Sequence, residues 1–315
     1  MGSKAYFIMM IGLPGSDKSQ RAEELSKLFK ANIHSSDSIR SELALYKYSH
    51  EDNGVVFNIL NNRVKEDLTN GKSCIYDACN ISYKRRRQFL NEIKKIDCYK
   101  ICEVVATPYE ICLQQNKNRE AIVPESSIEK MYRSFDIPGY YEGWDNIAIH
   151  YNDVRYKSHY GTLQDFIDST IEFPQENKFH KDTLGTHCVK CHLNCHNYMT
   201  GLPECLDFED ELLVASVLHD CGKPFCKTFT NAKGEITDNA HYYNHERVGA
   251  YNSLFYHMDL FVDKHYVALL IRWHMIMHAI YNEYSEKLEN KYGKLFGKEM
   301  FNDLYLLYKS DSEAH

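Results

Sequence analysis

Two groups of residues in this chain have types and spacing that could do chemistry. The first is Gly12-Leu13-Pro14-Gly15-Ser16-Asp17-Lys18-Ser19, a glycine-bearing loop that ends in Lys-Ser. In such a loop the backbone N–H groups cradle phosphates, the lysine reaches the outer phosphates and the hydroxyl holds Mg2+. The second is an excess of histidine: of 16 in the chain, only His34, His50 and His150 fall in the first 150 residues. That skew points to two chemistries in two halves, with metal binding the expectation for the second.

The loop needs a strand before it and a helix after it, and the flanking sequence supplies both. Ala5–Ile11 is a continuous apolar run, the pattern of a strand buried on both faces of a parallel sheet. A helical pattern follows the loop as far as Phe29. One residue departs from G-x-x-x-x-G-K-[ST]: Asp17 stands where the motif has glycine. Aspartate tolerates positive φ less well than glycine. Its charge also lies beside a polyanion, and at ~5 Å and an effective dielectric of ~20 the repulsion is roughly 3 kcal/mol.

Asp37 follows the short strand Asn32–His34 and opens a helix, near a carboxyl end where such sheets bind ligands. There it could take a proton from an attacking hydroxyl, or simply cap the helix. Arg40, one turn further on, could hold a substrate phosphate. Ser73–Asp77 is a further strand ending in a carboxylate, Asp77. Lys84-Arg85-Arg86-Arg87 reads as a solvated helix face or a guide for a phosphate backbone. Cys98–Val105 is another strand, and Arg119 sits in a lid-like stretch from which it could close over a transferring phosphate.

In order and spacing, GLPGSDKS, SSDSIR, DACN, NKNR and VPESSIEKMYRSF resemble the phage-type polynucleotide 5′-hydroxyl kinases, over roughly residues 5–150. The resemblance implies ATP and Mg2+ as cofactors, with Gly12, Gly15, Ser16, Asp17, Lys18 and Ser19 at the nucleotide. It makes Asp37 the general base and Arg40 the acceptor-phosphate clamp, and places Asp77 and Arg119 at further active-site positions.

The second half carries Thr183-Leu-Gly-Thr-His187-Cys, then Ser216-Val-Leu-His219-Asp220-Cys-Gly-Lys223-Pro. His241-Tyr-Tyr-Asn-His245-Glu246, Leu270-Ile-Arg-Trp-His274 and Tyr308-Lys-Ser-Asp311-Ser follow, in a pattern that reads as helical throughout. This resembles the HD phosphohydrolase superfamily, and LLVASVLHDCGKP with HYYNHERVGA is similar to the HD domain of bacterial CCA-adding enzymes. The resemblance implies that His187, His219, Asp220 and Asp311 hold one ion, and that His245 and His274 hold a second bridged by Asp220. Neighbours on a helix project about 100° apart, so His219 and Asp220 can share an ion only at the helix's inner edge. Mixed imidazole and carboxylate ligands favour Mn2+, Fe2+, Co2+, Ni2+ or Zn2+ over Mg2+. Two ions about 3.5–4 Å apart activate a water and clamp a phosphate. Lys223 is a candidate for the substrate phosphate. A competing zinc reading rests on Cys188-x-x-Cys191 with His192, Cys195 and His196. No second pair follows, and on one helix these cysteines would line a core as small hydrophobes.

The whole composition fits this division. Three hundred and fifteen residues suit two domains, and 43% hydrophobic with 26% charged is globular. No apolar run approaches a membrane span. The net charge of −7 argues against a generic nucleic-acid coat but leaves room for a basic groove. With no secretory leader visible, the 11 cysteines read as reduced thiols of a cytoplasmic protein. The expected fold class is multidomain: an α/β P-loop kinase domain with a parallel sheet over 1–152, a connector over 153–181, and an all-α HD domain over 182–315. The expected function is healing of RNA or DNA ends: ATP-dependent 5′-OH phosphorylation plus metal-dependent hydrolysis of a 2′,3′-cyclic or terminal phosphate. An RNA ligase would be the partner. A nucleotide or small-molecule kinase/phosphohydrolase, and a lapsed kinase that only delivers RNA to the HD domain, are the alternatives.

Overall fold

The computed structural model describes residues 4–43, 53–119, 121–178, 181–201 and 208–314. By packing, the chain divides into one unit of Met1–Tyr132 and Pro138–Tyr156 and another of Arg133–Ile137 and Lys157–His315.

The first unit alternates strands and helices: β1 (Ala5–Ile11), α1 (Lys18–Phe29), β2 (Asn32–Ser35), α2 (Ser36–Glu42), α3 (Asn53–Thr69), β3 (Cys74–Asp77), α4 (Tyr83–Glu92), β4 (Cys98–Val105), α5 (Tyr109–Lys117), α6 (Glu125–Arg133) and β5 (Asn146–His150). The strands form one parallel sheet in the order β2-β3-β1-β4-β5. Because β1 is central, both of its faces are buried, which is why its sequence is apolar throughout rather than alternating. Ile8 and Met10 pack with Ala22, Leu25, Ile75 and Val105 on one face. On the other, Phe7 meets Phe89 at 5.5 Å and Trp144 at 6.3 Å. All strands run the same way, so their carboxyl ends share one edge. Ser35 lies in register with Asp77 there, and Gly12 N–H donates to Cys79 O at 3.1 Å.

The basic run on α4 is not a uniform solvated face. Arg85 and Arg87 are exposed, but Arg86 points inward and is fully buried against Glu142. Its Nε and Nη2 donate to the two carboxylate oxygens at 2.8 and 2.7 Å, and Trp144 Nε1 donates to the same carboxylate at 3.1 Å.

The second unit contains α7 (Leu163–Thr170), α8 (Leu184–Thr200), α9 (Glu211–Leu218), α10 (Lys223–Cys226), β6 (Thr228–Thr230), β7 (Ile236–His241), α11 (His245–Ser253), α12 (Lys264–Tyr281) and α13 (Glu286–Ser312), the last broken at Gly297. Packing thus gives the segment expected as a connector, from Lys157 on and with its helix α7, to this unit. The helical pattern is also interrupted by the antiparallel β6–β7 hairpin. Its turn is set by Asn231, whose Oδ1 accepts from the N–H groups of Lys233 and Glu235, and by Gly234 at φ 85°. The strands are short and largely exposed, so they carry no hydrophobic period by which the sequence could show them.

Every residue of α9 from Leu212 to Leu218 is buried. Gly222 lets α11 approach its neighbour closely: a Cβ there would lie 2.1 Å from His245 O and 2.6 Å from Gly249 N. That close passage sets His245 beside Asp220. The pentapeptide 133–137 is held within this unit by Phe135, 4.5 Å from the Tyr251 ring, and by Asp136. Asp136 Oδ1 accepts from Arg247 Nε at 3.0 Å and lies 2.7 Å from Arg272 Nη2.

Candidate active sites

The glycine-bearing loop joins β1 to α1. Gly15 has φ 80°, and a Cβ there would fall 2.3 Å from Cys112 O, so the loop closes only over glycine. Asp17 adopts the left-handed conformation, φ 61° and ψ 28°, at the start of α1 and makes no side-chain cap. The missing glycine is therefore replaced at a position that does require positive φ. Ser16 is fully buried, and its carbonyl is fastened by Asn152 Nδ2 at 2.9 Å and Thr107 Oγ1 at 3.4 Å. Lys18 is buried, its Nζ donating to Leu13 O at 2.7 Å across the loop. Ser19 Oγ donates to Asp77 Oδ2 at 3.1 Å. Burial raises the Asp77 carboxyl above its usual range, opposed by Lys18 and Ser19.

Asp37 lies in the first turn of α2 and is not its cap. Ser35 fills that place, its Oγ accepting from Asp37 N at 3.3 Å. The Asp37 carboxylate is left to face Arg119 Nη2 at 3.4 Å. Arg40, one turn along, is buried; Nη2 donates to Asn53 Oδ1, and Nη1 has no hydrogen-bond partner among the described residues. Gly15, Asp17, Lys18, Ser19 and Arg119 line one cleft of about 170 Å3, and Arg40 is not among its walls.

In the second unit, six side chains from α8, α11, α12, α13 and the end of α9 converge. His187 Nε2 lies 3.2 Å from His219 Nε2, 3.5 Å from Asp220 Oδ2 and 3.0 Å from Asp311 Oδ1. His245 Nε2 lies 3.3 Å from Asp220 Oδ1 and 3.3 Å from His274 Nε2. The other oxygen of Asp220 is 2.6 Å from Lys223 Nζ, which also donates to Gln175 Oε1 at 2.7 Å. All seven of these sequence-selected residues are buried.

The donor set fits divalent cations. His219, His245 and His274 place Nδ1 at 2.9, 2.9 and 2.7 Å from the carbonyls of Ser216, Tyr242 and Ile271. A carbonyl only accepts, so Nδ1 carries the hydrogen and Nε2 is the ring nitrogen turned inward, where the neutral ring offers a lone pair to a cation. His245 and His274 then face each other Nε2 to Nε2 beside a carboxylate oxygen, a contact that calls for a shared proton or a cation. Burial and the neighbouring His245 hold His274 well below the usual histidine range, so it does not supply the proton. Burial would also lower His187 and His219, yet the carboxylates around them raise both; this place, too, calls for positive charge. Burial would raise Asp220, but Lys223 and His219 hold it well below the usual carboxylate range. Two groups whose ligand atoms lie within 4.8 Å of one another result: His187-His219-Asp220 and Asp220-His245-His274. Among the described residues neither group includes a cysteine. Cys188, Cys191 and Cys195 are buried in the core side of α8, where burial pushes the thiols up, Cys195 to about 12. His192 Nδ1 is spent on Leu213 O at 3.1 Å.

A cavity of about 600 Å3 opens over this cluster, lined by Asp220, Lys223, His245, His274 and Asp311 with His241, Tyr242, Tyr243 and His278. Gln175, Tyr242 and His278 also meet this site and were not among the residues expected there. Gln175 stands in no motif and is brought in by packing, and Tyr242 stands inside the motif that carries His245 but was not itself singled out. His278 did leave a signal, since it lies four residues after His274 and hence on the same helix face.

A parallel sheet of this order, with a phosphate-type loop after its central strand, gives the first unit the P-loop kinase fold, which as a class uses ATP and Mg2+. Residues 7–138 match the AAA domain family. The chain is 31% identical over 143 residues to the L-seryl-tRNA(Sec) kinase of Methanococcus maripaludis, covering 44% of this chain and 55% of that one. It is 25% identical over 153 residues to Protein kti12 of Schizosaccharomyces pombe, covering 44% and 54%. The chain thus spans about half the length of these curated relatives. Among solved structures, the Pnkp1/Rnl/Hen1 RNA repair complex aligns with TM-score 0.38 and 19% identity over 42% of this chain and 44% of that one. Among the described residues no helix is long and apolar enough to cross a membrane.

Proposed function

We propose that the chain is a bifunctional RNA end-healing enzyme of the cytoplasm: its first unit phosphorylates 5′-OH ends from ATP, and its second, an HD-type unit, hydrolyses 2′,3′-cyclic or terminal phosphates. The observation that carries this reading is a metal-type donor set, His187, His219, Asp220, His245, His274 and Asp311, in one chain with a phosphate-binding loop. The kinship to a kinase of L-seryl-tRNA(Sec) favours an RNA-borne hydroxyl as acceptor. The ten described cysteines are all free, which suits a reducing compartment.

In the first unit Lys18 and the loop N–H groups would hold the triphosphate, and Ser19 with Asp77 would hold Mg2+. Asp37 would accept the hydroxyl proton as the new P–O bond forms and the β,γ-bridging bond breaks. Arg119, already beside Asp37, offsets charge on the transferred group, and Arg40 holds the acceptor. In the second unit, bound ions would supply Lewis acidity and lower the pKa of a water. Three of its imidazoles, His219, His245 and His274, have Nδ1 fixed by backbone carbonyls, which turns Nε2 toward the ion, and Lys223 would take a phosphate oxygen. Lys223 is the only lysine or arginine among the described cavity-lining residues, which suits one terminal phosphate rather than a polyphosphate.

Oligonucleotides ending in 5′-OH and in 2′,3′-cyclic phosphate, assayed with ATP, Mg2+ and Mn2+, test the proposal; activity on neither would refute it. Asp220→Ala should abolish hydrolysis and strip metal while leaving ATP binding unchanged. The Asp17 carboxylate in the phosphate cleft favours a second reading, in which the first unit binds RNA without phosphorylating it. Hydrolysis without kinase activity would select that reading.

A further inference from the structure

His278 has no place in the ligand set, yet it is tied to it. It follows His274 by one turn of α12, lines the cavity, and is 19% exposed at the side chain. Its Nε2 lies 2.8 Å from Asp311 Oδ2. The opposite oxygen, Oδ1, is the one that faces His187 at 3.0 Å and His219 at 3.6 Å. The imidazole is itself braced by Tyr308, whose ring meets it edge-on at 4.8 Å and 86°. Tyr308 in turn donates its hydroxyl to Asn282 Oδ1 at 3.2 Å.

We infer that His278 is a positioning residue for the metal centre: by donating from Nε2 to Asp311 Oδ2, it fixes the carboxylate so that Oδ1 alone is offered to the ion shared with His187 and His219. The inference rests on the metal reading of this cluster. Asp311 sits in the last turn of α13, and its carboxylate can rotate about two side-chain bonds unless something outside the ligand set holds it. Carboxylates and imidazoles around metals are commonly oriented in this way, and losing the outer partner typically costs about 10- to 100-fold in metal affinity.

The test is titration of the purified full chain with Mn2+ and with Co2+, the latter followed by its ligand-field absorption, for the wild type, His278→Ala and His278→Gln. The glutamine amide nitrogen reaches nearly the same point as imidazole Nε2 and can make the same donation. His278→Ala should bind about 10- to 100-fold more weakly, with an altered cobalt spectrum and an unchanged melting temperature without metal. His278→Gln should restore affinity to within a fewfold. Equal binding by wild type and His278→Ala overturns the inference alone. So does a loss that glutamine fails to rescue together with a lowered metal-free melting temperature, since that marks a merely structural residue. If the wild type binds neither ion, the metal reading falls and this inference with it.

Discussion

Asp17 carries two separate costs at one position. Its left-handed backbone is strained by about 1 kcal/mol. Its exposed carboxylate also lines the cleft beside Lys18. A repulsion of roughly 3 kcal/mol against a bound polyphosphate corresponds to about a hundredfold in affinity. Asp17→Gly should therefore tighten ATP binding by up to about a hundredfold, raise 5′-kinase rate and add about 1 kcal/mol of stability, with hydrolysis by the second unit unaltered. Isothermal titration, end-labelling and urea unfolding check these in turn. Lys18→Ala on that background should erase the gain in binding, and an Asp17→Gly protein with wild-type ATP affinity and kinase rate would show that the loop accommodates the charge. The backbone shape at this position was legible because the loop ties residue type to conformation within eight consecutive residues. Gln175 was not: it meets Lys223 across 48 positions of sequence, and nothing local marks it.

Helix α4 shows how an element can mislead when read by composition. Four consecutive basic residues suggest a charged face, but successive helical positions turn by about 100°, so one of the four must face inward. The sequence shows that much, but not which residue answers it, since Glu142 lies 56 residues away. With both partners fully buried, Arg86→Ala would leave the Glu142 carboxylate, Trp144 Nε1 and Gly139 N around a gap. It should cost about 3–5 kcal/mol, as truncating one member of a buried pair does. The exposed Arg85→Ala should stay within about 0.5 kcal/mol. Urea unfolding of the two variants separates the cases; equal, small losses would mean that Glu142 is neutralised in another way. Longer elements were legible for the opposite reason. β1 declares burial by an unbroken apolar run and α9 by one interrupted only at Ser216, whereas the short, exposed strands of the β6–β7 hairpin have no such period.

At the scale of the whole chain, the ion-paired Asp136 sits in a pentapeptide, Arg133–Ile137, that belongs to the second unit although the stretches flanking it on both sides belong to the first. Burial would raise its carboxyl, but Arg272 and Arg247 hold it below the usual range. A carboxyl with a depressed native pKa adds stability that is complete above its unfolded pKa of about 3.9 and is lost as pH falls through the native value. Asp136→Asn should therefore cost about 3 kcal/mol at neutral pH. The gap to the wild type should close as the pH drops below about 4, as read from chemical unfolding across pH 3–7. A gap independent of pH would assign the loss to packing around Phe135 instead.

The path of the chain has a consequence for how the two units could be separated or inherited. It passes between the packing units at 132/133, 137/138 and 156/157, so no single cut yields two whole pieces. A fragment beginning at Lys157 would leave Arg247 and Arg272 without their shared anion and Tyr251 without Phe135. A fragment ending at Tyr156 would carry Phe135 and Asp136 of that pentapeptide with nothing to receive them. Exchange of either half by recombination would succeed only where the incoming half matched this borrowed segment, so the two units are constrained to change together even where their chemistries are independent.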